Sequence, residues 1–122
     1  MNQDNCLLSK SVLMVDDDPD IIKAFSRMLG KIVGTVYTAS NGKEAFDLVK
    51  ENDPDIIITD IEMPIMNGLK LLEEIKKWRE HKIVIIITAF EDEAEKAKLA
   101  DAVIIKPVVK SKLVDALNKT VC

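Results

Sequence analysis

The chain has 122 residues and 13.6 kDa, 48% of them apolar and 31% charged, which suits one ordinary core and leaves no room for two domains. A count of 17 Lys and Arg against 21 Asp and Glu gives a net charge of −4, which excludes the basic footprint of a direct nucleic-acid binder. The longest aliphatic run, Ile83 to Ile87, is far short of the ~20 residues that cross a bilayer, and the polar start Met1-Asn2-Gln3-Asp4-Asn5 has no signal-peptide apolar region, so a soluble cytoplasmic protein away from membranes is expected.

Along the chain, short β-branched runs alternate with amphipathic segments in one unbroken rhythm. Cys6 and Cys122 stand near opposite ends, which suits a reducing compartment better than a disulfide framework, and no structural bridge is expected. Val12-Leu13-Met14-Val15 reads as a first strand ending in Asp16-Asp17-Asp18. Asp18-Pro19 then opens a helix with Ile21, Ile22, Phe25, Met28 and Leu29 at helical spacing, since Asp is a good N-cap and Pro suits the first helical position. Val33 to Thr38 reads as the second strand, and Asn41 with Glu44 three residues on marks a second helix carrying Ala45, Phe46, Leu48 and Val49. Ile56-Ile57-Ile58-Thr59 is the third strand, closed by Asp60, and Asn67-Gly68 precedes a third helix with Leu69, Leu72, Ile75 and Trp78. His81, in the polar stretch Arg79-Glu80-His81-Lys82, reads as solvated. Ile83 to Thr88 is the fourth strand, Glu91 to Lys98 a short charged helix, Ala102-Val103-Ile104-Ile105 the fifth strand, and Leu113, Val114, Leu117 and Val121 the apolar stripe of a last helix. Three strands are apolar almost throughout, as parallel strands covered on both faces must be. Right-handed crossovers then predict one α/β domain over residues 1–122, with a core of about 10–121, doubly wound on a parallel five-stranded sheet in the order 2-1-3-4-5.

In such sheets a ligand site lies at the carboxyl ends of the strands, beside the switch in strand order. There the order 2-1-3-4-5 brings Asp16, Asp17 and Asp60 into one acidic cluster flanked by Thr88 and by Lys106 of Lys106-Pro107. Carboxylates this close repel and have their pKa values raised unless a cation is present, and few carboxylates completed by water suit Mg²⁺ better than an all-protein Ca²⁺ cage. Acids after a strand also favour a helix dipole, and Asp18 and Asp20 are read that way. Taken singly, Asp60 could be a turn residue, Lys106 a solvated loop lysine and Thr88 a chance polar strand residue. Their joint placement at the ends of four strands argues for a site.

The segments Val12 to Pro19, Ile58-Thr59-Asp60-Ile61-Glu62-Met63-Pro64-Ile65-Met66-Asn67-Gly68, Ile87-Thr88-Ala89 and Ile105-Lys106-Pro107 resemble the receiver domains of two-component response regulators, from about Lys10 to Val121. The resemblance implies a flavodoxin-like (βα)₅ fold and a phosphorylation-dependent switch, not a stand-alone metabolic enzyme. It implies that Asp60 takes a phosphoryl group from a phosphohistidine on a sensor histidine kinase or histidine phosphotransfer protein, and that the change controls a downstream protein or output domain. It assigns Mg²⁺ to Asp17, Asp60 and the backbone carbonyl of Glu62, with Asp16 acting through water, and the phosphoryl oxygens to Lys106 and Thr88. A cis Lys106-Pro107 bond is also expected.

Other readings fit less well. Asp16-x-Asp18 resembles the start of a haloacid-dehalogenase phosphatase signature, but Asp20 stands where Thr or Val belongs. Asp16, Asp18 and Asp20 mimic an EF-hand, yet Ile21 replaces its glycine and Arg27 its last glutamate. Three aspartates after strand one would repel the phosphate of FMN. The remaining alternative is a receiver-like docking module that works without phosphorylation. The chain departs from the family at Val103, where an aromatic ring is usual, and in its fourth helix, about one turn short.

Overall fold

Strands that are apolar on both faces can only lie in the middle of a covered sheet. The computed structural model describes residues 6–122; Met1 to Asn5, read above as a polar start, lie outside the described residues. The elements are β1 (Ser11–Val15), α1 (Pro19–Leu29), β2 (Thr35–Ala39), α2 (Gly42–Asn52), β3 (Ile56–Asp60), α3 (Gly68–Trp78), β4 (Ile83–Thr88), α4 (Glu91–Lys96), β5 (Ala102–Ile105) and α5 (Lys110–Val121). All strands are parallel, in the expected order β2-β1-β3-β4-β5. The central strands β1, β3 and β4 are almost wholly buried, while β2 and β5 form the edges.

The period of two along each strand sorts the core into two layers. Leu13, Val15, Ile57, Val84 and Ile86 point to the face covered by Ala45 and Val49 of α2, Leu71, Leu72 and Ile75 of α3, and Ala97 just after α4. Val12, Met14, Ile56, Ile58, Ile85 and Ile87 point to the other face, under Leu29 of α1 and Leu113 and Leu117 of α5. Three helices start where the sequence reading places them. The side chains of Asp18, Asn41 and Asn67 accept hydrogen bonds from the backbone N–H of Asp20, Glu44 and Lys70, each at 2.9 Å, which satisfies N–H groups left open at a helix start.

The structure departs from the sequence reading at three places. The second strand starts at Thr35, not Val33; Val33 is buried as a plug on the α1/α5 face, its N–H bonded to the Leu29 carbonyl at 2.9 Å. The short helix stops at Lys96 instead of Lys98, because the buried Ala97 turns the chain towards β5. Contrary to expectation, Cys6 and Cys122 are paired in a disulfide, with Cα atoms 6.1 Å apart. Cys6 and Leu7 are helical and Leu8 and Ser9 form a turn ahead of β1, and that end of the sheet is also where the last turn of α5 arrives, so sequence distance is no guide to the separation of the two cysteines. His81 is exposed as expected, and the Lys106-Pro107 bond is cis. Among the described residues no helix is long and apolar enough to cross a membrane.

Ile57 is fully buried between Leu13 and Val84 at the centre of the sheet. Ile57→Ala is expected to lower the unfolding free energy in urea by about 2–5 kcal/mol, because the rigid sheet cannot collapse onto the lost volume. Leu8→Ala, at a side chain 57% exposed, should change it by less than about 0.5 kcal/mol. Equal losses at the two positions would contradict this account of the core.

Candidate functional site

Register decides which side chains meet at the carboxyl end of the sheet. Val15 is level with Thr59, so the next residues, Asp16 and Asp60, leave their strands side by side. Asp16, Asp17 and Asp60 each offer a carboxylate oxygen, and the three oxygens lie within 4.8 Å of one another. Asp16 is buried, its Oδ1 accepting the Asp18 N–H at 2.9 Å, while Asp17 is exposed. Asp60 is held at both oxygens: Oδ1 accepts the Ile61 N–H at 2.8 Å, and Lys106 Nζ lies 3.3 Å from Oδ2. That lysine arrives from two strands away because Ile105 pairs with Thr88 and the Lys106 N–H then bonds the Thr88 carbonyl at 2.8 Å.

Four of the six residues singled out from sequence therefore converge, namely Asp16, Asp17, Asp60 and Lys106. Thr88 ends β4 as expected and is buried, but its hydroxyl is engaged with its own loop, accepting the Phe90 N–H at 3.1 Å. Glu62 stands exposed on the loop after β3, its side chain against Glu93 at the start of α4. Desolvation, followed by the charges of Glu62 and Asp92, raises the pKa of Glu93.

Residues 12–118 match the family of response regulator receiver domains. The chain belongs to that family. It is 39% identical to the chemotaxis protein CheY of Thermotoga maritima, with 92% of this chain and 98% of that protein covered. The CheY of Halobacterium salinarum is 33% identical, with 91% and 96% covered. Against the probable C4-dicarboxylate response regulator DctR of Bacillus subtilis, 32% identical, the match takes in 88% of this chain and 50% of the relative. Among solved structures, the response regulator TrrA of Thermotoga maritima, in complex with Mg²⁺-BeF, superposes with a TM-score of 0.85 at 31% identity, covering 91% of this chain and 98% of that one. A receiver domain from Clostridium thermocellum gives 0.83 at 33% identity, covering 92% and 94%.

Two features of the candidate site went unread in the sequence. Gly68 at the start of α3 donates its N–H to the Ile61 carbonyl at 2.7 Å, and any Cβ there would overlap the Asp60 carbonyl oxygen. The helix thus presses against the backbone of Asp60 and fixes it; Asn67-Gly68 was legible as a helix start but not as a wedge. Beside the acidic cluster lies a hollow of about 480 Å³ lined by Met14, Ile21, Phe25, Ile87, Pro107 and Val108, together with Asp16 and Lys106. Ile21 and Phe25, four apart on α1, carried that signal but read as core.

Burial is the main cause that raises the pKa of Asp16; the Asp18 N–H opposes it, and the charges of Asp60 and Asp17 add to it while Lys106 subtracts. A carboxyl whose pKa is higher in the folded than in the unfolded chain binds protons more readily when folded. Its ionisation therefore costs stability as pH rises from the unfolded value through the folded one, and the cost persists at neutral pH. Asp16→Asn keeps an oxygen to accept the Asp18 N–H and removes the charge. In metal-free buffer at pH 7 this variant should melt higher than the wild type, by on the order of a few °C, with the gain shrinking as pH falls towards 4. Calorimetry at the two pH values checks this, and a lower midpoint at pH 7 would contradict the sign.

Proposed function

We propose that this receiver accepts a phosphoryl group on Asp60 and thereby switches its contact with a downstream protein or an output domain. The observation that carries the reading is the Lys106 ammonium held 3.3 Å from an Asp60 carboxylate that also shares a cluster with Asp16 and Asp17. The donor is a phosphohistidine on a sensor histidine kinase or histidine phosphotransfer protein. An Asp60 oxygen bonds to phosphorus as the P–N bond breaks, and the imidazole leaves with the electron pair and takes up a proton. Phosphoryl transfer asks chiefly for positioning and neutralised charge. The Ile61 N–H and the α3 wedge hold Asp60 still, and Lys106 is placed to move its positive charge onto a phosphoryl oxygen. Thr88, one strand over, exchanges its bond with Phe90 for one to a second phosphoryl oxygen, which draws the Thr88 to Glu93 loop towards the site.

Three carboxylates with an oxygen-only donor set fit a hard divalent cation. Asp17, Asp60 and the Glu62 carbonyl would hold Mg²⁺, with Asp16 acting through water. When bound, the ion neutralises negative charge on the transferring group. The complex of the related TrrA with Mg²⁺-BeF supports this choice. The receiver acts as a phosphoacceptor rather than as an enzyme turning over a metabolite, as one domain of the cytoplasm, where phosphohistidine donors reside. Its net charge of −4 argues against direct contact with nucleic acid.

Incubation with acetyl phosphate and Mg²⁺, followed by intact mass measurement, should show one added phosphoryl group. Asp60→Asn should remove it while leaving the circular dichroism spectrum unchanged. Labelling of the variant at full stoichiometry would move the acceptor elsewhere, and an unlabelled wild type would leave the phosphorylation-independent docking module.

Mg²⁺ should also raise the thermal midpoint of the metal-free protein, since an ion at 100 times its dissociation constant contributes about 2.7 kcal/mol to the native state. Asp17→Ala should lose most of that rise; an undiminished rise would place the ion at other residues.

A further inference from the structure

The sheet core is complete without a staple: two apolar layers fill both faces from β1 to α5, so the Cys6–Cys122 bond is not needed to build the fold. What it joins is more specific. Leu7, buried next to Cys6, belongs to the same apolar cluster as Leu117 of α5, with Val121 packed against that cluster. The turn carrying Cys6 is closed by the Ser9 hydroxyl and the Ser9 N–H, both donating to the Cys6 carbonyl at 2.8 Å and 3.2 Å, and by the Lys10 N–H to the Leu7 carbonyl at 3.0 Å. Gly34, whose N–H donates to the Lys10 carbonyl at 2.9 Å, lets the backbone after α1 pass against the Leu8 carbonyl where any side chain would collide. Ordinary packing therefore brings the two cysteines together from both sides, and one sulfur meets the other at high effective concentration whether or not the bond exists. The pair also stays open to solvent, with Cys122 exposed and Cys6 partly so. A preorganised pair closes under mild oxidation, and an exposed disulfide is open to attack by an incoming thiolate.

We propose that Cys6 and Cys122 form a reversible redox clasp, a two-electron couple that exchanges with low-molecular-weight thiols and disulfides of the glutathione type. The reading is independent of the phosphoryl chemistry, since the clasp and Asp60 lie at opposite ends of the central strands. In closing, the thiolate of Cys122 attacks a glutathione disulfide, forming a mixed disulfide and releasing one glutathione thiolate. The Cys6 thiolate then attacks the Cys122 sulfur, forming the Cys6–Cys122 bond and expelling the second glutathione. The protein dithiol is oxidised by two electrons, and the external disulfide takes them up with two protons to give two thiols. Opening is the reverse. Closed, the clasp locks the turn at residues 6–9 to the last turn of α5; open, the covalent tie is gone and packing such as that of Leu7 in the cluster with Leu117 and Val121 holds them.

The test equilibrates the whole native chain across a series of reduced to oxidised glutathione ratios and counts free thiols. The expected result is a passage between two free thiols and none, with the same curve reached from either direction. The thermal midpoint should fall on the order of 10 °C on reduction, because the bond spans a sequence separation of 116 and its loss frees the unfolded chain. The double variant Cys6→Ser with Cys122→Ser should melt where the reduced wild type melts, with or without reductant. The single variant Cys6→Ser should collect one glutathione on Cys122. A bond that persists in excess glutathione under native conditions would overturn the proposal in favour of a fixed staple. Two separate glutathione adducts in place of a bridge, or a wild-type midpoint indifferent to reductant, would overturn it as well.

Discussion

Parallel pairing fixes where the chain leaves β1 and where β3 ends, and in this chain both positions, Asp16 and Asp60, are aspartates. Once Val15 is level with Thr59, Asp16 and Asp60 must stand together at the lip of the sheet, and Asp17 follows Asp16 into the same space. Burial and mutual repulsion both penalise that arrangement, as the raised pKa of Asp16 records. It persists because the strands behind it are almost wholly apolar, each fully buried Ile or Leu contributing about 1.5–3 kcal/mol. Much of the local structure answers the same crowding: the Asp18 and Ile61 N–H groups, Lys106 from beyond β5, and α3 wedged against the Asp60 backbone through Gly68. The site is thus a stored electrostatic tension facing a place where positive charge can arrive.

The strand order, the three helix starts with side-chain caps and the meeting of four of the six candidate residues could be read from sequence because each rests on local chemistry or on a fixed period. Runs such as Ile56 to Thr59 admit no half-exposed arrangement, and Asp18, Asn41 and Asn67 act on N–H groups two or three residues away. What escaped was decided by contacts distant in sequence or by side-chain direction. Val33 looks like a strand residue until the turn after α1 buries it. The Thr88 hydroxyl could point to the cluster or to its own loop, and only the backbone after β4 selects Phe90. The pairing of Cys6 with Cys122 depends on where α5 ends relative to the start of β1, which no spacing rule contains.

The two loops that rim the site differ in kind. The loop after β3 holds Ile65 at φ 69°, a left-handed conformation that a β-branched side chain resists, and keeps it there with the Met66 N–H on the Pro64 carbonyl and the Gly42 N–H on the Met66 carbonyl. Such a conformation survives only where its surroundings over-determine it. The loop after β4 runs instead into α4, six residues with no side-chain cap and no buried residue. Beyond it, the partly buried Val103 packs into the core as an aliphatic residue with little rotamer freedom.

That contrast grades the molecule by local opening free energy. An isolated helix of six residues is unstable in water, and α4 adds almost no apolar burial to offset the ordering of its chain. The segment just after Thr88 therefore sits near the bottom of the local stability scale, directly attached to β4, which sits near the top. A single new bond at the Thr88 hydroxyl, worth about 1.5–3 kcal/mol with a charged partner, would be small against the core but comparable to what orders this segment. Under the proposed function, the short helix would give a weak local contact leverage over a population: a bond made at the lip of the sheet would redistribute the conformers of one segment and leave the rest of the fold in place.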